Sequence, residues 1–323
     1  MGKKSDKKIY LAGLAVVLLV GCGFAFKGYL WGAGPGLNAS ENTAPGEPAS
    51  VSEATYPPAE TGAETGADIV NSQQMEEEEE RSTGKLQETA DNFSNEKYGW
   101  GLKRNSNHLQ PEMPSYIADG LEKYDAYWVG SPDEKVVYLT FDEGYENGYT
   151  PKILDALKAN NVKAAFFVTG HYLESQPELV KRMVDEGHIV GNHTARHPSL
   201  PDISGEQIKE ELQAVEAKFE AVTGCREMRY LRPPKGEYSE RTLAVTRELG
   251  YHNIFWSMAM VDWVPMPGGA EESYRTVMDN LHNGALILLH AVSEDNAAAM
   301  DRILKAIKEQ GYVFKTLDDL VKN

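Results

Sequence analysis

Two short stretches of the sequence carry ionisable side chains at spacings that suit hydrolytic chemistry. Asp142 and Glu143 stand side by side, and His193 and His197 are separated by three residues. Imidazoles at positions i and i+4 share one face of a helix or tight helical turn, a spacing suited to a metal ion. An acidic pair nearby would add a third ligand and a general base. Two imidazoles and a carboxylate suit a catalytic Zn²⁺ with open positions for water and substrate.

A third histidine, His290, completes a set of groups that could hydrolyse an amide. A bound metal polarises the carbonyl oxygen and lowers the pKa of its water. A carboxylate can take the proton of that water, while a histidine on the opposite wall protonates the leaving amine. The sequence has no Gly-x-Ser-x-Gly motif and no Gly-rich phosphate loop. We therefore expect metal-assisted hydrolysis without a covalent intermediate.

The segments around these residues alternate between strand and helix patterns. The predicted strands are 136–141, 164–169, 189–192, 229–232, 253–257, 286–289 and 312–316. The predicted helices are 151–160, 177–186, 205–222, 239–249, 271–281 and 296–310. This alternation predicts the α/β class, with parallel strands closed or nearly closed into a barrel. Polar residues follow or end five of the strands, and a parallel barrel builds its site at those carboxyl ends.

Composition and charge exclude several classes of protein. The 323 residues carry a net charge of −17, which argues against direct binding to nucleic acid. The chain has only two cysteines, Cys22 and Cys225, so neither a disulfide framework nor a thiolate metal site is expected. A metal here must use histidines and carboxylates.

The first 31 residues have the pattern of a membrane-targeting segment. Lysines at positions 3, 4, 7 and 8 precede an uncharged, mostly apolar run, Ile9–Phe26. Eighteen helical residues span about 27 Å, close to the hydrocarbon thickness of a bilayer. The flanking lysines favour a cytoplasmic N-terminus and an external C-terminal domain. The alternatives are a lipoprotein signal, with Cys22 as the lipid attachment point, and a buried core helix.

The rest of the chain divides at about residue 96. Residues 32–95 are rich in Pro, Gly, Ala, Ser, Thr and Glu, and residues 31–96 hold 14 acidic and two basic side chains. Such a composition cannot bury enough apolar surface to offset the entropy of ordering, so we expect a disordered acidic linker. Residues 96–323 are predicted to form the catalytic domain.

Five motifs in the third segment resemble those of a known family. In chain order they are Thr-Phe-Asp-Glu-Gly, His-Thr-x-x-His-Pro, Arg-Pro-Pro-x-Gly, Asp-Trp and Leu-Leu-His. They resemble the motifs of the polysaccharide deacetylases, carbohydrate esterase family 4, over about residues 135–320. Residues 98–104 and 138–150 further resemble the members that deacetylate N-acetylmuramic acid and lead to muramic δ-lactam in sporulating bacteria.

The resemblance implies a distorted, partly open (β/α)7-type barrel and assigns catalytic roles within it. Asp142 would be the general base and His290 the general acid. Arg232 would orient Asp142 through charge-assisted hydrogen bonds. Asp262 would tune the pKa of His290.

The resemblance also implies a divalent metal, with Zn²⁺ expected, and a substrate pocket. His193 and His197 would be metal ligands, and Glu143 stands where most members have an aspartate ligand. Because glutamate is longer by one methylene, it could ligate directly, through water, or not at all. A backbone N–H near Lys235 would bind the oxyanion. The remaining pocket residues would be Tyr145, Trp263 and Leu288.

The leading hypothesis is therefore de-N-acetylation of N-acetylmuramic acid in peptidoglycan. Two alternatives stay open: deacetylation of N-acetylglucosamine in peptidoglycan or another glycan, and a non-catalytic glycan-binding protein whose metal site has decayed at Glu143. In each case we expect a monomer that binds glycan strands, not nucleic acid. Its catalytic domain would lie outside the cytoplasm, held at the cell membrane by the N-terminal segment or by lipid on Cys22.

Overall fold

The computed structural model describes residues 81, 84–86, 88, 89 and 92–322. The chain divides into two units, Met1–Gly62 and Ala63–Asn323, and every described residue belongs to the second. The predicted membrane segment and most of the predicted linker therefore lie outside the described residues. Within the described ranges, no helix has the length and apolar character needed to cross a bilayer.

Strands and helices alternate along the described chain. The strands are β1 (Tyr98–Gly99), β2 (Ala126–Tyr127), β3 (Val136–Glu143), β4 (Ala165–Val168), β5 (Ile189–Asn192), β6 (Tyr230–Leu231), β7 (Glu237–Tyr238), β8 (His252–Ile254), β9 (Met258–Ala259), β10 (Ala285–His290) and β11 (Val313–Phe314). The helices are α1 (Ser115–Lys123), α2 (Thr150–Ala159), α3 (Gly170–Ser175), α4 (Pro177–Asp185), α5 (Gly205–Thr223), α6 (Glu240–Glu248), α7 (Gly269–Asp279), α8 (Glu294–Glu309) and α9 (Leu317–Val321). The predicted α/β class is confirmed, and each predicted strand and helix overlaps an observed one.

Nine of the described strands form one parallel sheet, and the chain forces this sheet to curl. The order is β2-β8-β6-β5-β4-β3-β10-β9, with β11 also paired to β3. Laid flat, β8 and β9 would lie about 29 Å apart, at about 4.8 Å per strand. Only three residues separate Ile254 from Met258, a distance of at most about 14 Å for extended chain. The sheet therefore bends into an incompletely closed barrel, as the resemblance implied.

The central strand β3 shows how the sheet divides the core into two layers. All of its residues are buried, and successive side chains point to opposite faces. Val137, Leu139 and Phe141 belong to the large apolar cluster formed with the outer helices. Val136 and Tyr138 belong to a smaller cluster inside the barrel. This alternation decides the direction in which each acidic residue at the end of β3 points.

Some residues before the predicted boundary at residue 96 also pack on the folded domain. Leu86 is only 2% exposed and belongs to the large apolar cluster. The ring of Phe93 packs edge-on against Tyr124, with centroids 5.7 Å apart. Asn95 donates from Nδ2 to the carbonyl oxygen of Pro201 at 2.9 Å. The last residues of the predicted linker thus pack on the domain, because they include apolar side chains that have a surface to bury.

Candidate active site

A cavity of about 580 Å³ opens where several parallel strands end. Seven of the eleven residues singled out from the sequence line it: Asp142, His193, His197, Lys235, Trp263, Leu288 and His290. Two more, Arg232 and Asp262, lie behind the wall and hydrogen-bond to residues that line it. The structure does not bring Glu143 and Tyr145 to the cavity; Tyr145 is 51% exposed on the surface.

Asp142, the last residue but one of β3, lies on the inner face of the barrel and is held by Arg232. The guanidinium of Arg232 is fully buried and donates from Nη1 to Asp142 Oδ1 at 2.8 Å. Its other nitrogens donate to the backbone oxygens of Ile254 and Phe255, so its geometry is fixed from three sides. Burial alone would raise the pKa of Asp142, but the charges of Arg232, His193 and His290 and the hydrogen bond from Arg232 together outweigh it and keep that pKa below its ordinary value. Asp142 is therefore an ionised carboxylate with one oxygen, Oδ2, not engaged by Arg232.

His193 and His197 meet through a loop rather than a helix. The two Nε2 atoms are 3.2 Å apart. Thr194 and His197 both have positive φ, and the hydroxyl of Thr194 accepts the backbone N–H of His197 at 3.0 Å. This tight turn, which follows β5, replaces the helical turn expected from the spacing. It brings the two imidazoles together all the same.

The protonation of this histidine pair suits a metal ion. Nδ1 of His193 lies 2.8 Å from the carbonyl oxygen of Arg232, so Nδ1 carries the proton and Nε2 keeps its lone pair. Burial lowers the pKa of both histidines, that of His197 to about 4, so both are neutral at physiological pH. Two ligands at about 2.0–2.1 Å from a tetrahedral ion are themselves about 3.3 Å apart, which the Nε2 separation matches. The pair therefore fits two ligand positions of a divalent cation.

Asp142 is the acidic side chain nearest to this pair. Its Oδ2 lies 3.6 Å from Nε2 of His193. Among the residues described, no group of three or more His, Cys, Asp or Glu side chains is arranged to enclose a metal. The two imidazoles are accordingly the ligands that this structure supplies, with Asp142 beside them.

Glu143 does not join the histidine pair, which is the third of the possibilities that its extra methylene left open. The strand extends through Glu143, so its side chain leaves on the face opposite to Asp142. Glu143 is fully buried there, and neither carboxylate oxygen has a hydrogen-bond partner among the described residues. Burial, reinforced by the nearby charges of Glu146 and Asp142, raises its pKa well above the ordinary value. Glu143 is therefore a buried carboxyl group on the helix side of the sheet, in surroundings that favour its neutral form.

His290 ends β10, which pairs with β3 so that His290 stands beside Asp142. Its Nδ1 lies 2.7 Å from Asp262 Oδ1, and its backbone N–H donates to Asp262 Oδ2 at 2.8 Å. Burial alone would lower the pKa of His290, but the hydrogen bond and charge of Asp262 raise it above the ordinary value. The ring edge of Trp263 packs against His290, with centroids 5.2 Å apart. His290 therefore retains a proton more readily than a free histidine.

Asn296, which sequence reasoning missed, holds Asp262 in place. Its Nδ2 donates to Asp262 Oδ2 at 2.5 Å and to the backbone oxygen of His290 at 3.2 Å. The hydroxyl of Ser273 donates to Asn296 Oδ1 at 2.7 Å. The available signal is the N-cap of α8, where Ser293 accepts the backbone N–H of Asn296. Nothing in that cap pattern indicates which way the amide points.

The remaining wall is a turn, Pro234–Gly236, that carries Lys235. Lys235 and Gly236 both have left-handed backbone conformations. A Cβ at Gly236 would lie 2.7 Å from Cβ of Trp100 and 2.8 Å from the ring of Trp256, so only glycine fits there. Arg104 also lines the cavity, from the segment before the barrel, and was not predicted from the sequence.

Comparison with known proteins places this site in context. The profile of the polysaccharide deacetylase family matches residues 129–254. The peptidoglycan-N-acetylmuramic acid deacetylase PdaA of Bacillus subtilis is 48% identical over 233 residues, which are 72% of this chain and 89% of that protein. A peptidoglycan-N-acetylglucosamine deacetylase of Bacillus cereus is 34% identical over 204 residues, 62% of this chain and 73% of that protein.

Two solved structures share the fold. That of Bacillus subtilis PdaA, described as a family 4 carbohydrate esterase, superposes with a TM-score of 0.68 at 48% identity, over 70% of this chain and 97% of that one. A family 4 carbohydrate esterase from Bacillus anthracis has a TM-score of 0.61 at 45% identity, over 71% of this chain and 98% of that one.

Proposed function

The chain belongs to the polysaccharide deacetylase family, carbohydrate esterase family 4, and from this we propose that it removes the acetyl group of N-acetylmuramic acid in peptidoglycan. One observation carries the proposal: 48% identity to a muramic acid deacetylase along 89% of that protein, including residues outside the family profile. The enzyme is accordingly an amide hydrolase that acts on a glycan.

Two hydrogen-bonded pairs at the cavity, Asp142–Arg232 and His290–Asp262, supply the base and the acid that amide hydrolysis needs. Asp142 is ionised because Arg232 stabilises its charge, so it can take a proton from the attacking water. His290 has a raised pKa, so it holds the proton that the leaving nitrogen requires. The C–N bond breaks as that nitrogen is protonated, and the products are acetate and a free amine. Because Nδ1 of His290 is hydrogen-bonded to Asp262, the proton that His290 gives to the leaving nitrogen is the one on Nε2.

The deacetylases of this family are generally metal-dependent, and His193 with His197 would hold the ion in this chain. A divalent cation, Zn²⁺ in our proposal, would polarise the acetyl carbonyl oxygen and lower the pKa of the attacking water. The turn at Lys235 would place a backbone N–H near the same oxygen. Trp263 and Leu288, which line the cavity, would contact the sugar and the acetyl group.

We extend the proposal to the product and to the place of action. The freed amine of muramic acid lies close to the lactyl carboxyl of the same sugar, and their condensation gives muramic δ-lactam, as in spore cortex. The lysine-flanked apolar run Ile9–Phe26 supports an external, membrane-held enzyme, through a helix or through lipid on Cys22. We also propose that it acts as a monomer.

Deacetylation of N-acetylglucosamine is the second candidate, favoured by the 34% identity to the Bacillus cereus enzyme. A non-catalytic glycan-binding protein is less well supported, because the Asp142–Arg232 and His290–Asp262 pairs are both formed.

The test is acetate release from defined glycans, with the products read by mass spectrometry. The full chain should deacetylate muramic residues of peptide-free peptidoglycan strands, and Asp142→Asn and His290→Ala should abolish the release. A matched control, His188→Ala, removes a histidine whose Nδ1 accepts a backbone N–H in the core and should leave turnover within a few-fold. Deacetylation of glucosamine residues alone would overturn the proposal, and no release at any metal concentration would favour the non-catalytic alternative.

A further inference from the structure

Arg104 is a cation at the cavity that makes no hydrogen bond to the proposed acid and base groups. It lines the same cavity as Asp142 and His290. Its Nη2 donates to the backbone oxygen of Ala259 at 2.7 Å. Within the described part of the chain, no carboxylate lies within ion-pair distance of its guanidinium. Most donors of this guanidinium are therefore available to a ligand.

The segment that carries Arg104 is fastened to the barrel. Strand β1 pairs antiparallel with β7, next to the turn that carries Lys235. The indole of Trp100 stacks on Phe255 with centroids 4.3 Å apart, and its N–H donates to the backbone oxygen of Trp256 at 3.0 Å. Arg104 follows this anchor by four residues. Its position over the cavity is thus set by packing, not by a free loop.

The way the substrate must bind places its sugar on the same side of the cavity as Arg104. The proton donor His290 must face the leaving nitrogen, which is bonded to C2 of the sugar, so the sugar lies on the His290 side. The carbonyl oxygen points the other way, toward the histidine pair. Ala259 ends β9, which pairs with the His290 strand β10. Arg104 is therefore on the sugar side of the site.

N-acetylmuramic acid differs from N-acetylglucosamine by one group on that side. Its C3 oxygen, next to the acetamido carbon C2, carries a lactyl ether that ends in a carboxylate. When the acetamido group lies between Asp142 and His290, this carboxylate must enter the same cavity or its rim. A planar guanidinium matches a carboxylate with two parallel hydrogen bonds.

We propose that Arg104 binds the free lactyl carboxylate of muramic acid and so determines the preference for muramic over glucosamine residues. The inference rests on the proposed function. The other cations at the site are less suited to this task. Arg232 is buried and committed to Asp142. Lys235 follows Arg232, whose backbone oxygen accepts the Nδ1 proton of His193, by three residues, and so belongs to the carbonyl side of the cavity.

The experiment compares two peptide-free muramic glycans, one with the lactyl carboxylate and one with the lactyl group converted to its methyl amide. The full-chain enzyme should prefer the carboxylate in kcat/KM by about tenfold or more, the size of a charge-assisted hydrogen bond. Arg104→Gln should lose this preference, mainly through a higher KM for the carboxylate glycan. Arg104→Lys should keep part of it.

The matched control is Lys103→Gln, which removes the same charge one residue away, where Lys103 pairs with Glu112 at the surface. It should keep the preference unchanged. The inference would be overturned if Arg104→Gln lowered kcat/KM equally on both glycans. It would also be overturned if the preference for the carboxylate glycan were kept in Arg104→Gln and lost in Lys235→Gln. If wild-type enzyme released acetate only from glucosamine residues, the proposed function itself would fail, which is a distinct result.

Discussion

Asp142 and Glu143 are neighbours in sequence and meet opposite environments. Asp142 points into the barrel, where Arg232 keeps it ionised. Glu143 points toward the helices, where neither of its carboxylate oxygens is hydrogen-bonded to a described residue and burial favours its neutral form. One step along the strand thus leads from an ionised carboxylate that faces the cavity to a buried carboxyl group that faces the helices.

This arrangement predicts that Glu143→Gln stabilises the protein increasingly as pH rises. A carboxyl group with a raised pKa in the folded state contributes stability that is fully present below its unfolded pKa and is lost as pH rises through the folded pKa. Glutamine does not titrate, so the difference in Tm between variant and wild type should grow from pH 4.5 to pH 8. A growth of about 2–4 °C corresponds to about 1 kcal/mol in a domain of this size.

The measurement is thermal unfolding with chelator present across that pH range, followed by acetate release after chelator is removed. Glu134→Gln, which changes an exposed carboxylate paired with Lys315, is the control and should show no such trend. Activity of Glu143→Gln should stay within about threefold of wild type, because its side chain faces away from the cavity. A pH-independent Tm difference, or activity lost with Glu143→Gln, would instead favour the ligand role.

The site residues that could be predicted from the sequence are those at or just after the ends of predicted strands. The grouping of Asp142, His193 and His290 followed from one rule, that parallel strands deliver their carboxyl ends to one edge of a sheet. Glu143 was mistaken for a loop residue because the predicted strand stopped at residue 141, whereas β3 continues through residue 143. Asn296 and Arg104 could not be found, because their roles depend on contacts distant in sequence.

At the scale of elements, the site depends on pairings too short to leave a sequence pattern. Strands β1, β2, β7 and β9 were not predicted and have two residues each, which is too few for a period-two alternation to show. Strands β6 and β11 are equally short, but they lie within the longer predicted runs 229–232 and 312–316. The long strands β3 and β10 and the helices between them were predicted, because burial extends along their length. The short pairings nevertheless carry the cavity walls at Lys235 and Ala259.

The anchor at β1 predicts the effect of Trp100→Ala. The variant loses the stack on Phe255 and the hydrogen bond to Trp256, and it leaves a gap beside Gly236. Because Trp100 is half-buried, we expect the free energy of unfolding to fall by up to about 3 kcal/mol, the lower end for a tryptophan truncation. The KM for muramic glycan should rise too, since the same segment carries Arg104.

Urea unfolding and steady-state kinetics test this expectation. Trp100→Phe keeps an aromatic ring but not the indole N–H, so it should lose only about 1 kcal/mol. Tyr116→Ala, an aromatic residue that is 74% exposed, is the control and should change neither quantity. An unchanged unfolding midpoint in Trp100→Ala would show that β1 does not fasten the segment.

For the whole molecule, the net charge of −17 divides unevenly: residues 31–96 hold 14 acidic and two basic side chains, and residues 97–323 account for −9. Composition therefore predicted roughly where the acidic linker gives way to the folded domain. It could not locate the first residue that packs on the domain, because a few apolar residues near the end of an acidic stretch barely change the average composition of that stretch. Leu86 and Phe93 are such residues, and both pack on the domain.

Two truncated chains locate this boundary. A chain of residues 63–323 should unfold at the same temperature as the full protein, because it keeps the whole second unit. A chain of residues 96–323 loses buried Leu86, the ring of Phe93 and the hydrogen bonds of Asn95, and its Tm should fall by roughly 5 °C or more. Leu86→Ala in the full chain should reproduce part of this loss.

The same proteins test whether the removed residues affect catalysis. Since none of these residues lines the cavity, both truncated chains and the Leu86→Ala protein should release acetate with a kcat similar to that of the full chain, at a temperature where each is folded. Equal melting of the two truncated chains would instead restore the boundary at residue 96, and a loss of kcat in the longer one would give residues 1–62 a part in catalysis.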